Sequence, residues 1–384
     1  MNSEKKSMGE FLLDLRSLRN LNAHGMLGKR LDHAIQDAFS ARGFEADDAQ
    51  IARTVRFINS AEPGVFLVPP VIQAAVGQLL KDRSAEFVLD PWAGTGQLAE
   101  TAMNATGARI TTAIVIEQEL ADFGRVFNPS LTTIVGDPLV LIRKINGPVD
   151  VVASVLPLGI RDRDQSPVKG NDGQPVRLRG DYAERLMIES AQRLREDGIA
   201  LFVVDSAFFY RTRSAFHHLN RFGLFVHAAL ALPARTFMHH GGPRSGYLVV
   251  IGKNKLPNLF VAQLTDEEES NRQAIQNFLR RKVGGALQFG RYVENDSFEG
   301  IEKIYFEERV KKFERKIKCS PVPMAHLAKR FIRGHRERPF EDLTNAVFVP
   351  IVGTRHEAVT LMKRSNTLLK AMEVRLSGSE DRYL

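Results

Sequence analysis

A chain of 384 residues with one cysteine, Cys319, can form no internal disulfide and no cysteine-based zinc site. Its ten histidines include the adjacent pairs His217-His218 and His239-His240, but none stand at the i, i+4 spacing of a helical metal site, so no metal is expected. No window offers about 18 uninterrupted apolar residues, and the N-terminus MNSEKKSMGE lacks the apolar run of a signal peptide. A membrane span is therefore not expected, and a cytoplasmic location is. Internal repeats and low-complexity blocks are missing as well. Acidic residues are outnumbered, 45 against 53 Lys and Arg, and the resulting charge of +8 favours a polyanionic partner. With 43% apolar and 26% charged residues, the composition is that of a soluble globular protein with room for a full core.

The chain is organised around FVLDPWAGTGQLAE, Phe87 to Glu100. Three apolar residues lead into Asp90, a Gly94-Thr95-Gly96 turn follows, and Gln97 to Ala102 opens a helix. A strand, a glycine turn and a helix start suit a nucleotide. Glycine removes the Cβ that would keep a ligand off the backbone, and the helix start offers unpaired N–H groups. The spacing is not the GxGxxG of dinucleotide folds, because position 99 is alanine.

Residues 1–60 read as a helical cap. Phe11, Leu12, Leu15 and Leu18 share one helical face, as do Leu31, Ala34, Ile35 and Ala38. Asp47 with Gln50 three residues on forms a capping pair. Pro63-Gly64 then breaks the chain, and Pro69-Pro70 starts a helix with Val71, Ala75 and Leu79 on its buried face. Strands are expected at 109–116, ending in Glu117; at 131–135, ending in Gly136-Asp137; at 149–154; and at 199–205, after a helix centred on 186–194. Two more, 224–232 and 247–251, flank Gly241-Gly242. Strands alternating with helices predict an α/β, doubly wound sheet with ligands at the carboxyl ends of its strands. From Asn254 the character changes. Thr265 to Glu268 reads as a capping box for a helix stopping before Gly284-Gly285, and 303–338 is rich in Lys and Arg with interleaved aromatics. Three regions result: 1–60 helical, 61–255 α/β, and 256–384 basic and helical.

The order FLVPP, DPWAGTG, Glu117, GD, VDVVASVLPLG, LPARTF and GYLVVIGK resembles the adenine-specific DNA methyltransferases, especially modification subunits of restriction systems. The resemblance covers residues 60 to 255. It implies a Rossmann-like, S-adenosylmethionine-dependent methyltransferase fold with helical N-terminal and C-terminal extensions, and DNA as partner, with specificity, nuclease or other defence subunits alongside. The positions it assigns to the cofactor are Phe66, Asp90, Ala93, Gly94, Gly96, Glu117 and Asp137. In the family the second-strand acid binds the ribose hydroxyls, and the Asp after the third strand contacts the adenine ring. Leu67 and Val68 stand where the family's entry motif has Tyr and Thr, so one hydroxyl that could touch the cofactor is gone.

A larger departure lies at the fourth strand. The family has Asn or Asp, Pro, Pro and an aromatic, whereas this chain has Val155, Leu156, Pro157 and Leu158. In the family the first side chain accepts a hydrogen bond from the target amine and the ring stacks on the flipped base. Val155 has no acceptor and Leu158 no π face, and each such loss typically costs about two to three decades of rate. Impaired adenine methylation is expected, and an active enzyme with a rearranged acceptor site or a scaffold that has lost the cofactor are the alternatives. The family's loop after this motif faces DNA and here carries Arg161, Arg163, Lys169, Arg177 and Arg179. In the C-terminal region Lys311, Lys312, Arg315 and Lys316 are the candidate phosphate contacts. Phe340 to Gly353 resembles the start of a target-recognition region.

Overall fold

The structure, a computed structural model, describes residues 18, 21, 25–41, 45–48, 50–52, 54–55, 68–127, 130–157, 160, 162, 166–178, 181–206, 208–209, 215–234, 236, 246–294 and 298–314, and the strands 328–333, 347–350 and 370–374. Phe11, Leu12, Leu15, Phe66, Leu158, Arg161, Arg163, Arg179, Arg315 and Lys316 lie outside the described residues, as does the side chain of Lys312.

In the N-terminal region, α1 (Leu31–Ser40) buries Ala34, Ile35 and Phe39. The capping pair closes as the sequence predicts: Asp47 N–H donates to Gln50 Oε1 at 2.8 Å, and Gln50 N–H to Asp47 Oδ1 at 2.6 Å. Ile35, Phe39 and Ile51 pack with Ala93, Ala99, Val115 and Leu131, so these helices back the glycine turn.

The α/β part begins with α2 (Pro70–Leu80), whose first residue is a proline that has no N–H to leave unpaired. Then come β1 (Phe87–Asp90), α3 (Gln97–Thr106), β2 (Ile110–Val115), α4 (Gln118–Phe127), β3 (Thr132–Val135), α5 (Pro138–Lys144) and β4 (Val149–Val155). A short hairpin of β5 (Val168–Lys169) and β6 (Pro175–Val176) precedes α6 (Tyr182–Ala191) and β7 (Leu194–Asp205). After α7 (Ala215–Asn220), β8 (Phe225–Ala231) and β9 (Gly246–Gly252) form an antiparallel pair. With β10 (Asn258–Gln263) and β11 (Arg291–Glu294), one nine-stranded sheet results, in the order β11-β10-β8-β9-β7-β4-β1-β2-β3, parallel except for β9 and β11. Its strands are apolar on both faces because helices cover both. Val88, Val151, Leu201 and Leu248 face one core with α2 and α3, and their neighbours Leu89, Val152, Phe202 and Val249 face the other with α5 and α6.

The sheet does not stop at residue 255. The apolar run Leu259 to Ala262 lets β10 (Asn258–Gln263) add parallel to β8, and β11 (Arg291–Glu294) closes that edge antiparallel to β10. Between them α8 (Glu268–Leu279) buries Ala274 and Ile275. The expected boundary at 255 therefore falls between two strands of one sheet, and Ile301 and Ile304 at the start of α9 (Ile301–Glu314) still belong to its core. The chain divides instead into units 1–304 and 305–384. The second unit is not only helical. It holds an antiparallel sheet in the order β12-β14-β13, from β12 (Ala328–Arg333), β13 (Val347–Pro350) and β14 (Lys370–Val374), each with β-branched or aromatic residues that favour extended chain.

Candidate functional site

Strand order reverses between β1 and β4: the chain steps from β1 outward to β2 and β3, then crosses back to place β4 on β1's other side. In an open α/β sheet the crevice outside the carboxyl ends of the two strands at such a reversal is where ligands collect. Asp90 ends β1, Glu117 follows β2, Asp137 follows β3 and Val155 ends β4. The fold thus gathers at one end of the sheet four positions that span 65 residues of chain, from 90 to 155.

The glycine turn is held in the shape that the sequence predicts. Gly96 caps α3 with φ 85, in the left-handed region, and a Cβ there would come within 2.9 Å of Leu131 Cδ1. Gly124 on α4 serves the turn from the other side, since a Cβ there would lie 2.9 Å from the Thr95 carbonyl oxygen. At the first position of α3, Gln97 accepts from Val68 N–H at 2.9 Å, which ties the entry segment to the turn, and Gln73 Nε2 donates to the Val68 carbonyl at 2.8 Å. Gln97 is 2% exposed, and its Nε2 has no partner among the described residues. A buried donor left open beside a glycine turn costs stability unless something fills it, and an oxygen-bearing ligand would.

Each acid has a different environment. Asp90 is fully buried, and its Oδ1 accepts from Ser154 Oγ at 2.6 Å across the reversal and from Trp92 N–H at 3.1 Å. Burial pushes its pKa up to about 7, against the two hydrogen bonds that favour the charged form. Glu117 is exposed, and no partner for its carboxylate occurs among the described residues. Asp137 Oδ1 accepts from Leu139 N–H at 2.9 Å and so caps α5, with Pro138 at the first helical position. The Tyr182 hydroxyl stands 3.5 Å from the same oxygen, and burial, then the Asp137 charge, raise that phenol's pKa, so it stays a donor. Tyr182 meets Trp92 edge to face at 5.8 Å. Ser154, Trp92, Gln97 and Tyr182 are contributors that the motif order does not single out. Only Trp92 and Gln97 adjoin the turn in sequence, and Tyr182 is brought to Asp137 from 45 residues away.

At the tip of β4 the structure places apolar groups. Val155 pairs with Val203, Leu156 N–H donates to the Val203 carbonyl at 3.2 Å, and Leu156 is 2% exposed in the core. Pro157 is buried too. On the other side of β4 from Asp90, Asp205 ends β7; it is half-buried, and its Oδ1 accepts from Phe208 N–H at 3.1 Å.

Of the basic positions after β4, Lys169 and Arg177 are described, and they do not lie at this end of the sheet. Buried Arg185 donates to Asp162 Oδ2 at 2.6 Å and to the Ser166 carbonyl at 3.0 Å, while Gln192 Nε2 donates to the Lys169 carbonyl at 2.7 Å. Asn171 N–H reaches the Arg221 carbonyl at 2.8 Å, just before β8. Lys169 and Arg177 are thus exposed on a hairpin whose Lys169 side is pinned at the amino-terminal ends of the parallel strands, opposite the acids. Lys311 is exposed on α9. No group of three or more metal-ligating side chains occurs among the described residues, and no described helix is long and apolar enough to cross a membrane.

No family model matches the sequence, and no curated protein matches it. Solved structures do resemble the fold. The methyltransferase subunit of a type I restriction-modification system from Streptococcus thermophilus is 12% identical, with 77% of this chain and 69% of that chain covered at a TM-score of 0.51. A chain solved to describe complex assembly and conformational transition of the type I restriction-modification system is 15% identical, with 82% of this chain and 85% of that chain covered at a TM-score of 0.50. At such identities the likeness is one of fold, and this chain carries a mixed α/β, Rossmann-like fold with a large, mostly parallel sheet, similar to that methyltransferase subunit.

Proposed function

We propose that this chain binds S-adenosylmethionine at the carboxyl ends of β1, β2 and β3 and acts on or alongside DNA within a modification or defence assembly, with ordinary transfer to adenine impaired. The observation that carries this reading is the meeting of the glycine turn, Asp90, Glu117 and Asp137 at the strand-order reversal, beside a β4 tip with no side-chain acceptor. The residues fit the cofactor. Glu117 has its carboxylate open to accept from two ribose hydroxyls, Asp137 has one oxygen beyond its helix cap, and the amide nitrogen of Gln97 has no partner among the described residues. When bound, the cofactor supplies a methyl group on a positively charged sulfur. Taking that methyl requires an amine with its lone pair held toward it, and Val155, Leu156 and Pro157 offer no side-chain group to hold one. The likeness to a restriction-modification methyltransferase subunit supports DNA and partner subunits as the setting.

Calorimetric titration should show S-adenosylmethionine or its demethylated product binding at micromolar levels, on the order of −8 kcal/mol. Glu117→Ala should weaken that by about 1.5–3 kcal/mol, the worth of a charged acceptor. Tritiated-methyl incorporation into mixed-sequence DNA should stay at background. No heat and no thermal shift at millimolar cofactor would defeat the reading and leave a scaffold that has lost the cofactor. Robust turnover would favour a second reading, an active methyltransferase with a rearranged acceptor site, for which Asp205 at the end of the strand beside β4 is a candidate.

DNA association predicts weak, poorly sequence-selective binding, each phosphate contact adding about −0.9 to the log–log salt slope. Anisotropy with duplex DNA should show lower affinity and a shallower slope for Arg177→Glu and Lys311→Glu, both exposed positions. Binding that ignores salt would remove these cations from the interface.

A further inference from the structure

A second concave site lies at the other end of the sheet, where β7 and β8 begin at Leu194 and Phe225 and the antiparallel β9 ends at Gly252. The β5 side of the hairpin, Ser166 to Asn171, forms one wall of a cavity of ≈ 810 Å³, and Arg143, Lys169, Arg193 and Lys253 line it. Its two acids do not neutralise these four cations. Glu189 is gripped by Arg143 through contacts of 2.7 and 2.6 Å, and it also takes Arg185 at 3.3 Å, so one carboxylate serves two guanidinium groups. Glu196 stands 3.8 Å from Lys253 with its side chain 86% exposed, a geometry worth little in water. Arg193 donates to the carbonyls of Arg143 and Ile145 at 3.1 and 3.4 Å, which satisfies its N–H groups and cancels no charge. Lys169 is exposed and meets no carboxylate among the described residues. Excess positive charge inside a concavity with protein walls focuses the field on whatever enters.

We infer that this cavity binds a small phosphate-bearing molecule, of nucleotide size, at a site separate from the strand tips. Its volume falls within the range of about 300–1,000 Å³ of small-molecule sites. A pocket walled by a docked hairpin encloses a compact polyanion better than it tracks a duplex, which needs an extended surface. The seven residues of β4 separate this end from the tip, roughly 20 Å at about 3.3 Å per residue, so one small ligand cannot occupy both.

Titration of the full chain with inorganic tripolyphosphate, which carries no base and so does not compete for a nucleoside site, tests this. Saturable binding is expected. Lys169→Glu should weaken it at least about tenfold, the scale of turning one attraction into a repulsion. Arg177→Glu, on the same hairpin but outside the cavity wall, should leave it within about twofold, as should saturating S-adenosylmethionine, because neither alters the wall's charge. Lys253→Gln gives a second reading at a different element should the hairpin variant prove misfolded by its melting temperature. The inference is overturned by an absence of saturable heat, by equal losses in Arg177→Glu, or by competition from S-adenosylmethionine. It is also overturned if Lys169→Glu weakens duplex DNA binding while tripolyphosphate does not bind at all. The cofactor titration above does not depend on any of these outcomes.

Discussion

Arg185→Met is expected to cost about 3–5 kcal/mol of stability, because it removes a fully buried guanidinium that faces a buried carboxylate at 2.6 Å. Arg185 is 0% exposed on α6, and its principal partner Asp162 is 3% exposed in the segment that follows β4. The Asp162 side chain is only 3% exposed, so water replaces the guanidinium poorly, and Glu189 keeps Arg143 as a second partner. The double variant Arg185→Met/Asp162→Asn should recover much of the loss, since a neutral amide needs no counter-ion. Denaturant unfolding of the two singles and the double measures this. A single-variant cost below about 1 kcal/mol would mean that the pair is hydrated and the segment loosely held. In the expected outcome the cost is paid by the whole unit, because this ion pair joins the strap after β4 to the helix beneath it.

Asp90→Asn should invert the usual effect of altering a buried polar residue and raise stability above neutral pH. Both protein hydrogen bonds go to Oδ1, which the amide retains as an acceptor. The folded carboxyl titrates near pH 7 and the unfolded one near 3.8. Below about pH 4 both states hold the proton and the residue contributes no pH dependence. Between about 4 and 7 the unfolded chain releases the proton while the folded one keeps it, so wild-type stability falls as pH rises, by up to about 4 kcal/mol, and is flat above. The asparagine variant lacks this decline. Urea midpoints from pH 4 to pH 8 should therefore diverge, the variant gaining on the wild type as pH increases. Parallel profiles would show that Asp90 is ionised in the folded protein at low pH, held there by a charge or water that reaches it.

Where the sequence was legible, it was because the signal was local. The Asp47 and Gln50 pair closes as its spacing predicts, the glycine turn leads from β1 into α3, and Pro70 starts α2. Pairing across the sheet has no such local mark. The expected strand at 199–205 starts earlier, at Leu194, which pairs with Val149; the register then slips across the charged stretch Arg195 to Asp197 before Ile199 pairs with Val151, and Arg195 answers buried Asp150 at 2.6 Å. The short apolar run of β10 carries no local mark of its place, which is set by β8 some 30 residues away, and β11 is placed in turn by β10. Thr265 also behaves differently from a capping box with Glu268. Its N–H and carbonyl are both taken by the Asn271 side chain, at 2.8 Å each, so the helix start is tied from one turn inside. Among site residues, the acids at strand ends were readable from the alternation of strands and helices. Ser154 and Tyr182 were not, because their partners come from other strands or helices through the fold.

The placement of β4 has a consequence for how the molecule is made. β1 and β2 pair early, from neighbouring segments, but β4 needs β7, which ends at residue 205, and β7 needs β9, which ends at residue 252. A nascent chain emerging in order therefore carries a buried-type strand, Val149 to Val155, with one edge unpaired until about fifty further residues have been synthesised, an interval set by the handful to twenty residues per second of translation. Such an edge is a template for the wrong neighbour, and long-range parallel pairing is slow to form. The strands that bear Asp90, Glu117 and Asp137 are thus the first of the sheet to be translated, yet β4 beside them waits for β7, which leaves the crevice at the strand-order reversal open to competing aggregation in the interval.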